Sequence, residues 1–341
     1  MSGSTNQRKI EHIDILLRDA DTDRNRAGFD HIHLRHRALP ELNLDEVDPS
    51  LTFLGKSLSF PLLISSMTGG DHEKVRHINQ NLAVAAERCQ VAMGVGSQRV
   101  MFTHPPARAS FDLRQVAPTA LLFANLGAVQ LNKGFGLPEC REAVEVLNAD
   151  GLYLHLNPLQ EAIQPEGDTC FKGLANRIAE VIDGLEVPVL LKEIGSGLSP
   201  PDADLLIAKG ARILDVAGSG GTSWSRIENH RSRSGDDDLG LLFQDWGVPT
   251  PVALQELAPY REQGVILIAS GGVRNALDMI KSIILGASLA GMAKPFLEPA
   301  LNSPEAVIAK IESIRRAFTI AMFLLGCPNL RSLQGNTDLI R

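Results

Sequence analysis

Short apolar runs recur along this chain, separated by polar stretches. They cover residues 61–66, 91–95, 120–125, 152–156, 187–194, 212–217, 265–270 and 287–291. Their length suits buried strands. Between most of them apolar residues recur at helical spacing, over 75–88, 139–147, 174–183 and 203–209. Strands alternating with helices predict a parallel α/β fold, either an eightfold barrel or a doubly wound sheet.

The residues after each run separate the two. Nearly every run ends in small or polar groups: Ser65-Ser66-Met67-Thr68-Gly69-Gly70, Gly96-Ser97-Gln98-Arg99, Asn125-Leu126-Gly127, His155 to Glu161, Lys192-Glu193, Gly218 to Thr222, and Ser270 to Arg274. An open sheet shares a ligand only between loops at its switch point. A (βα)8 TIM barrel brings all its C-terminal strand ends to one site. Function spread over seven loops predicts the barrel, spanning 56–341. Residues 1–55 are mostly polar with little periodicity and read as an N-terminal extension. A long lid-like loop follows strand six at 220–250, and its Asp236–Asp238 run reads as a solvated turn. Near the C-terminus, Ser303 and Pro304 start a helix that Gly326 and Pro328 end. Its apolar end, 317–325, predicts packing on the barrel or on another subunit.

Composition narrows the class. With 341 residues, 44% of them apolar, the chain can bury a large core. No run is long enough to span a membrane. The polar first nine residues carry no apolar signal core, which predicts a cytoplasmic protein. The cysteines Cys89, Cys140, Cys170 and Cys327 form no C-x-x-C pair, so neither zinc nor a disulfide framework is indicated. A net charge of −7 argues against nucleic-acid binding but leaves room for an anionic substrate in a local basic pocket.

The most informative string is His155-Leu156-Asn157-Pro158-Leu159-Gln160-Glu161. A buried strand delivers an imidazole, two amides and a carboxylate to one end, a combination suited to a polar ligand and a metal. Glu161 can hold Mg²⁺ when substrate phosphates supply the other oxygens; it also reads as a helix-start carboxylate. Gly271-Gly272-Val273-Arg274 and Gly291-Met292-Ala293-Lys294 follow strands seven and eight, where barrels hold phosphate. Taken singly, such glycines only make tight turns. Lys192 ends an apolar strand and either pairs with Glu193 or places charge beside a flavin. Arg8, Lys9 and Arg99 suit phosphate. His31, His33 and His36 lack standard ligand spacing and read as surface or contact residues.

Together these motifs resemble type 2, flavin-dependent isopentenyl diphosphate isomerases over nearly the whole chain. The resemblance is carried by Arg8-Lys9-x-x-His12, Ala38-Leu39-Pro40-Glu41, Met67-Thr68-Gly69-Gly70, Gly96-Ser97-Gln98-Arg99, His155-x-Asn157-x-x-Gln160-Glu161, Lys192-Glu193, Gly220 to Trp224 with Ile227-Glu228, and Gly271 to Arg274. It implies bound FMN, reduced typically by NADPH, together with Mg²⁺ and a homo-oligomer, a tetramer or octamer. The implied reaction interconverts isopentenyl and dimethylallyl diphosphate. Met67, Thr68, Gly69, Ser97, Asn125, Lys192, Thr222, Gly271, Gly272, Val273, Arg274, Ala293 and Lys294 would surround FMN. Arg8, Lys9, Ser97, Gln98, Arg99, His155, Asn157 and Gln160 would meet the substrate, and Glu161 the metal. His155, Gln160 and Glu161 would act in catalysis with the flavin, the base being the flavin itself or Gln160 and Glu161 through water. Trp224 either shields a cationic intermediate or packs under the lid. Two other classes fit less well. A 2-hydroxy-acid oxidase would want a histidine at the end of strand seven, and none is there. A flavin-binding sensor would bind FMN without turnover.

Overall fold

A computed structural model describes residues 2–341 apart from Thr68 and 232–237, with side chains from Lys9 onward. Arg8, Thr68, Asp236 and Asp237, each singled out in the sequence, therefore lie wholly or in their side chains outside the described residues. Strands β1 (Leu51–Phe53) and β2 (Lys56–Leu58) form an antiparallel hairpin. Then follow β3 (Leu62–Ile64), β4 (Ala92–Gly94), β5 (Leu122–Gly127), β6 (Gly151–Leu156), β7 (Val189–Glu193), β8 (Ile213–Asp215), β9 (Ile266–Ala269) and β10 (Leu289–Met292). These eight are parallel and close on themselves, β10 pairing with both β3 and β9. Each expected apolar run supplies one of them. Helices Glu73–Cys89, Leu137–Leu147, Leu174–Gly184 and Pro200–Ala208 stand where helical spacing places them.

The strand period of two explains how this barrel makes a site. Leu63, Ala92, Phe123, Tyr153, Leu190, Ile213, Ile268 and Leu289 form one buried cluster, one residue from each strand. Alternate residues face the same side. Two positions further on, the same inward rows carry Ser65, Gly94, Asn125, His155, Lys192, Asp215, Ser270 and Gly291. Each row thus passes from apolar to polar or bare between the barrel's waist and its C-terminal mouth. The intervening residues, such as Ile64, Ala124, Leu154, Leu191 and Leu214, face the surrounding helices and join the larger core.

The N-terminal region differs from expectation. It contains a helix, Ser2–Arg18, whose Ile13 and Ile15 are buried. The few apolar residues there mark a narrow buried face that weak periodicity conceals. The chain then runs beside the loop after β8, with the Arg24 and Arg26 amides donating to Gly221 and Gly220. Further on it pairs with the C-terminal segment, where the amides of Arg35 and Arg37 donate to Leu339 and Leu324. The hairpin β1–β2 straddles residue 55. It joins Phe53 and Leu58 to the barrel's inner cluster and so plugs the floor. The region 220–250 is not all loop, because it contains the helix Trp224–Arg231.

The helix Pro304–Leu325 ends as its sequence predicts, with Ser303 Oγ accepting the Ala306 amide and Gly326 in the left-handed region at φ 71°. Its Val307, Ile311, Ile314 and Phe318 are buried. Among the described residues no helix is long and apolar enough to cross a membrane. Ser303→Ala removes the cap and should cost about 1 kcal/mol of stability, measured as a lower denaturant midpoint at unchanged slope.

Candidate active site

The polar ends of the inward rows open into a cavity with two lobes. Lys9, His12, Ser66, Met67, Lys192, Ile194 and Trp224 border both. The first lobe is walled by Ser65, Thr222, Gly271, Gly272, Val273, Arg274, Ala293 and Lys294. The second is walled by Ser97, Arg99, Asn125, His155, Asn157, Gln160 and Glu161. Nearly every described residue assigned from the sequence to a flavin, a substrate or a metal is gathered here.

Two are not. Gln98 was expected to meet the substrate, yet its side chain is fully buried away from the cavity. Its Nε2 donates to the Ala143 carbonyl at 2.8 Å and its Oε1 accepts the Asn125 amide at 2.9 Å. With its carboxamide committed to backbone on both sides, Gln98 braces β5 and has no group left to offer a ligand. Gly69 borders neither lobe; a side chain there would strike Phe111, and this close packing is what requires a glycine.

In the second lobe β6 ends at the helix Pro158–Ile163. His155 Nδ1 lies 2.7 Å from Asn125 Oδ1, while Asn125 Nδ2 donates to Ser66 Oγ. An amide oxygen only accepts, so Nδ1 carries the proton and Nε2 is left as an acceptor. Burial, reinforced by Lys9, Lys192 and Arg99, pushes the imidazole down to about 3, so it is neutral. Asn157 Nδ2 donates to Gln160 Oε1 at 3.1 Å and to Glu161 Oε1 at 2.8 Å. Glu161 Oε2 accepts the Asp168 amide at 2.6 Å. Asn157 thus holds the two side chains that follow it, and its own buried Oδ1 has no hydrogen-bond partner among the described residues. Arg99 and Lys133 each lie 3.1 Å from the Asp168 carboxylate.

Glu228 is the main residue that the sequence reading left out of the site, although it stands in a quoted motif. It is fully buried. One oxygen accepts from Gln160 Nε2 at 2.8 Å and lies 3.1 Å from His12 Nε2; the other meets Arg231. Burial works to raise this carboxyl, but the bond to His12 and the charges around it outweigh that and pull it down to about 2. Glu228 therefore fixes which face of the Gln160 amide is presented. Trp224 meets the His12 ring edge-on, with centroids 5.2 Å apart.

In the first lobe, Lys192 does not pair with the Glu193 carboxylate. Its ammonium lies 3.4 Å from Asp215 and donates to the Glu193 backbone carbonyl at 3.0 Å. The Glu193 carboxylate instead accepts the amides of Ile194, Gly195 and Ser196. Arg274 pairs with Asp23 from the N-terminal segment, and Lys294 lies 3.8 Å from it. Asp23 had no signal in the sequence, since its partners are about 250 residues away. The buried Ser65 hydroxyl beside this lobe has no partner among the described residues. His31, His33 and His36 are exposed and lie outside the cavity.

The model of the FMN-dependent dehydrogenase family matches residues 6–103 and 159–340. Solved structures of flavocytochrome b2 with sulfite bound (TM-score 0.67, 18% identity, covering 94% of this chain and 78% of that one) and of a mandelate oxidase variant (0.63, 16%, 93% and 89%) share the barrel. The chain belongs to the FMN-dependent dehydrogenase family. Within it, the chain is an enzyme of the isopentenyl-diphosphate delta-isomerase type, the FMN-dependent second class. It is 58% identical to the isopentenyl-diphosphate delta-isomerase of Paracoccus zeaxanthinifaciens, covering 98% of this chain and 97% of the relative. It is 55% identical to that of Hydrogenovibrio crunogenus over the same shares and 45% identical to that of a Nostoc strain over 100% and 97%.

The electrostatics of His155 can be tested directly. Lys9→Ala removes a cation that disfavours the imidazolium, so the His155 pKa should rise from its low value. An NMR titration of the ring nitrogens reads the shift, and a pKa unchanged or lower in the variant would contradict the assignment.

Proposed function

We propose that the two lobes divide the reaction between a flavin and a diphosphate, and that the enzyme interconverts isopentenyl and dimethylallyl diphosphate by a 1,3-proton shift. The observation that carries this is one cavity joining a lobe of glycine loops and Lys192 to a lobe of cations, amides and one carboxylate. The first lobe fits FMN. The unpartnered Ser65 hydroxyl and the Lys192 ammonium suit the polar edge of a flavin ring. The amides of Gly271 to Val273 and of Ala293 and Lys294, with Thr222, suit its phosphate; the Arg274 amide is taken by Asp278. Because Asp23 engages Arg274 and Lys294, the phosphate is held chiefly by backbone. When bound and reduced by NADPH, FMN supplies the acid–base group for the allylic proton shift.

The chain's own residues do the rest. Arg8, Lys9, Arg99 and the Ser97 hydroxyl bind the diphosphate, with arginine matching phosphate oxygens. His155, neutral and tethered to Asn125, lines the substrate lobe and offers Nε2 as an acceptor to a water or to a cation that binds the diphosphate. Glu161 fits Mg²⁺ as a single carboxylate whose remaining ligands are diphosphate oxygens and waters. The orphaned Asn157 Oδ1 beside it can accept from a metal-bound water. A neutral amide is a poor base, so Gln160, held by Asn157 and Glu228, orients the reacting carbons or a water. Trp224 closes the cavity over them and keeps out bulk water. The N-terminal segment, 1–55, serves as the substrate-binding arm of the barrel. The enzyme works in the cytoplasm as a homo-oligomer, a tetramer or octamer.

Two measurements test this. Purified protein should be yellow and, incubated anaerobically with NADPH and Mg²⁺, should convert isopentenyl to dimethylallyl diphosphate. Equal turnover by flavin-free protein would overturn the reading. Glu161→Gln should retain flavin but lose at least about 10–100-fold in kcat/KM at limiting Mg²⁺, the loss typical of removing even a residue that only supports a metal ligand. An unchanged value would remove Glu161 from the metal.

A further inference from the structure

Lys192 is one of the few cations buried in this barrel, and it borders both lobes of the cavity. Asp215 stands beside it on the next strand, as its register partner. Asp215 is fully buried and does not line the cavity. One of its oxygens accepts from Ser270 Oγ at 2.6 Å; the other lies 3.4 Å from Lys192 Nζ. Lys192 Nζ also reaches Ser270 Oγ at 3.3 Å. Carboxylate, hydroxyl and ammonium thus come from β8, the end of β9 and β7, and form a closed triangle below the mouth.

We propose that Asp215 is a positioning residue that keeps Lys192 charged and aimed at the flavin, and thereby sets the electron affinity of the bound cofactor. A buried ammonium without a counter-ion gives up its proton. Asp215 supplies that counter-ion from the neighbouring strand. Charge beside a flavin ring stabilises the electron-rich reduced form. Asp215 has no reach into the cavity, so its influence passes through Lys192 and Ser270. Ser270 Oγ and the carboxylate also fix the direction of the lysine, because the ammonium has no other side chain within hydrogen-bond distance among the described residues. Asp215 Oδ2 has no bond of hydrogen-bond geometry, and neither does the buried Tyr153 hydroxyl. Burial next to Asp215 raises that phenol well above its ordinary value, so it stays a neutral donor. Tyr153 and Asp215 stand on the inward rows of β6 and β8, one layer apart and on either side of the Lys192 row of β7.

This inference rests on the flavin reading, and one experiment separates the two. FMN binding is measured first, then the midpoint potential of the loaded protein, for wild type, Asp215→Asn, Lys192→Met and the double variant. Failure of the wild type to bind FMN would sink the flavin reading itself. With FMN bound, Lys192→Met should lower the potential, Asp215→Asn should lower it in the same direction, and the double variant should match Lys192→Met alone. An Asp215→Asn potential equal to or above wild type, or additive shifts in the double variant, would overturn the proposal. Where a charge variant does not fold or hold flavin, Ser270→Ala supplies the measurement. It keeps the carboxylate but removes the hydroxyl that aims it, and should lower the potential by less than Lys192→Met. An unchanged Ser270→Ala potential would then overturn the proposal.

Discussion

A closed parallel barrel leaves little choice about where its side chains meet. Eight strands of fixed pleat direct alternate residues inward, and the twist and closure bring those residues to common levels. In this chain the level at the waist is apolar and the next level, at the mouth, is polar. The site follows from that single change of character along the inward rows. The outward rows stay apolar under the helices that cover them, and only at the end of β7 does a polar group, the buried Glu193, interrupt them among the described residues. A shift of one residue in any strand would exchange these rows, placing a leucine in the site and a lysine or aspartate under a helix. The register is therefore fixed by the core and the site together.

Placing a lysine and an aspartate at that level is costly unless they face each other. Removing one member of a buried pair typically costs about 3–5 kcal/mol. The structure meets this cost with a partner on the neighbouring strand and a hydroxyl on the one beyond. A different solution operates at Glu228, which is buried as an anion. There the compensation comes from His12 on the N-terminal helix, Gln160 after β6, and Arg231 one turn along its own helix. One carboxylate thus joins its own helix, the N-terminal helix and the string after β6. It accounts for a polar string after β6 depending on a helix that precedes the barrel.

Much of this was legible in the residues. Runs such as 187–194 and 265–270 read as strands because burial on both faces demands continuous apolar sequence. Ser303, Pro304 and Gly326 marked a helix because its end groups need those side chains or that backbone freedom. His155, Asn157, Gln160 and Glu161 stood out because a core has no use for them. What stayed hidden depends on partners distant in sequence. Asp215 sits in Ile213-Leu214-Asp215-Val216 and looks like a lone acid in a strand until Lys192 is placed beside it. Asp23 gains meaning only beside Arg274. Gln98 belonged to a family motif, but a motif does not say which members face the ligand and which hold the backbone behind it. The helix Ser2–Arg18 was missed because its buried face is narrow and its other faces are polar.

That helix and the segment after it also impose an order on events during synthesis. His12 meets Glu228, 216 residues later, and the amides of Arg24 and Arg26 meet carbonyls at 221 and 220. At roughly 5–20 residues per second, the amino-terminal segment leaves the ribosome about 10–40 s before its partners exist. Throughout that interval the amino-terminal helix lacks its seat on the helix Trp224–Arg231 and is open to molecular chaperones. This segment is made long before it finds its place, and the mouth of the barrel cannot close until the strand Leu289–Met292 and the loop after it have followed.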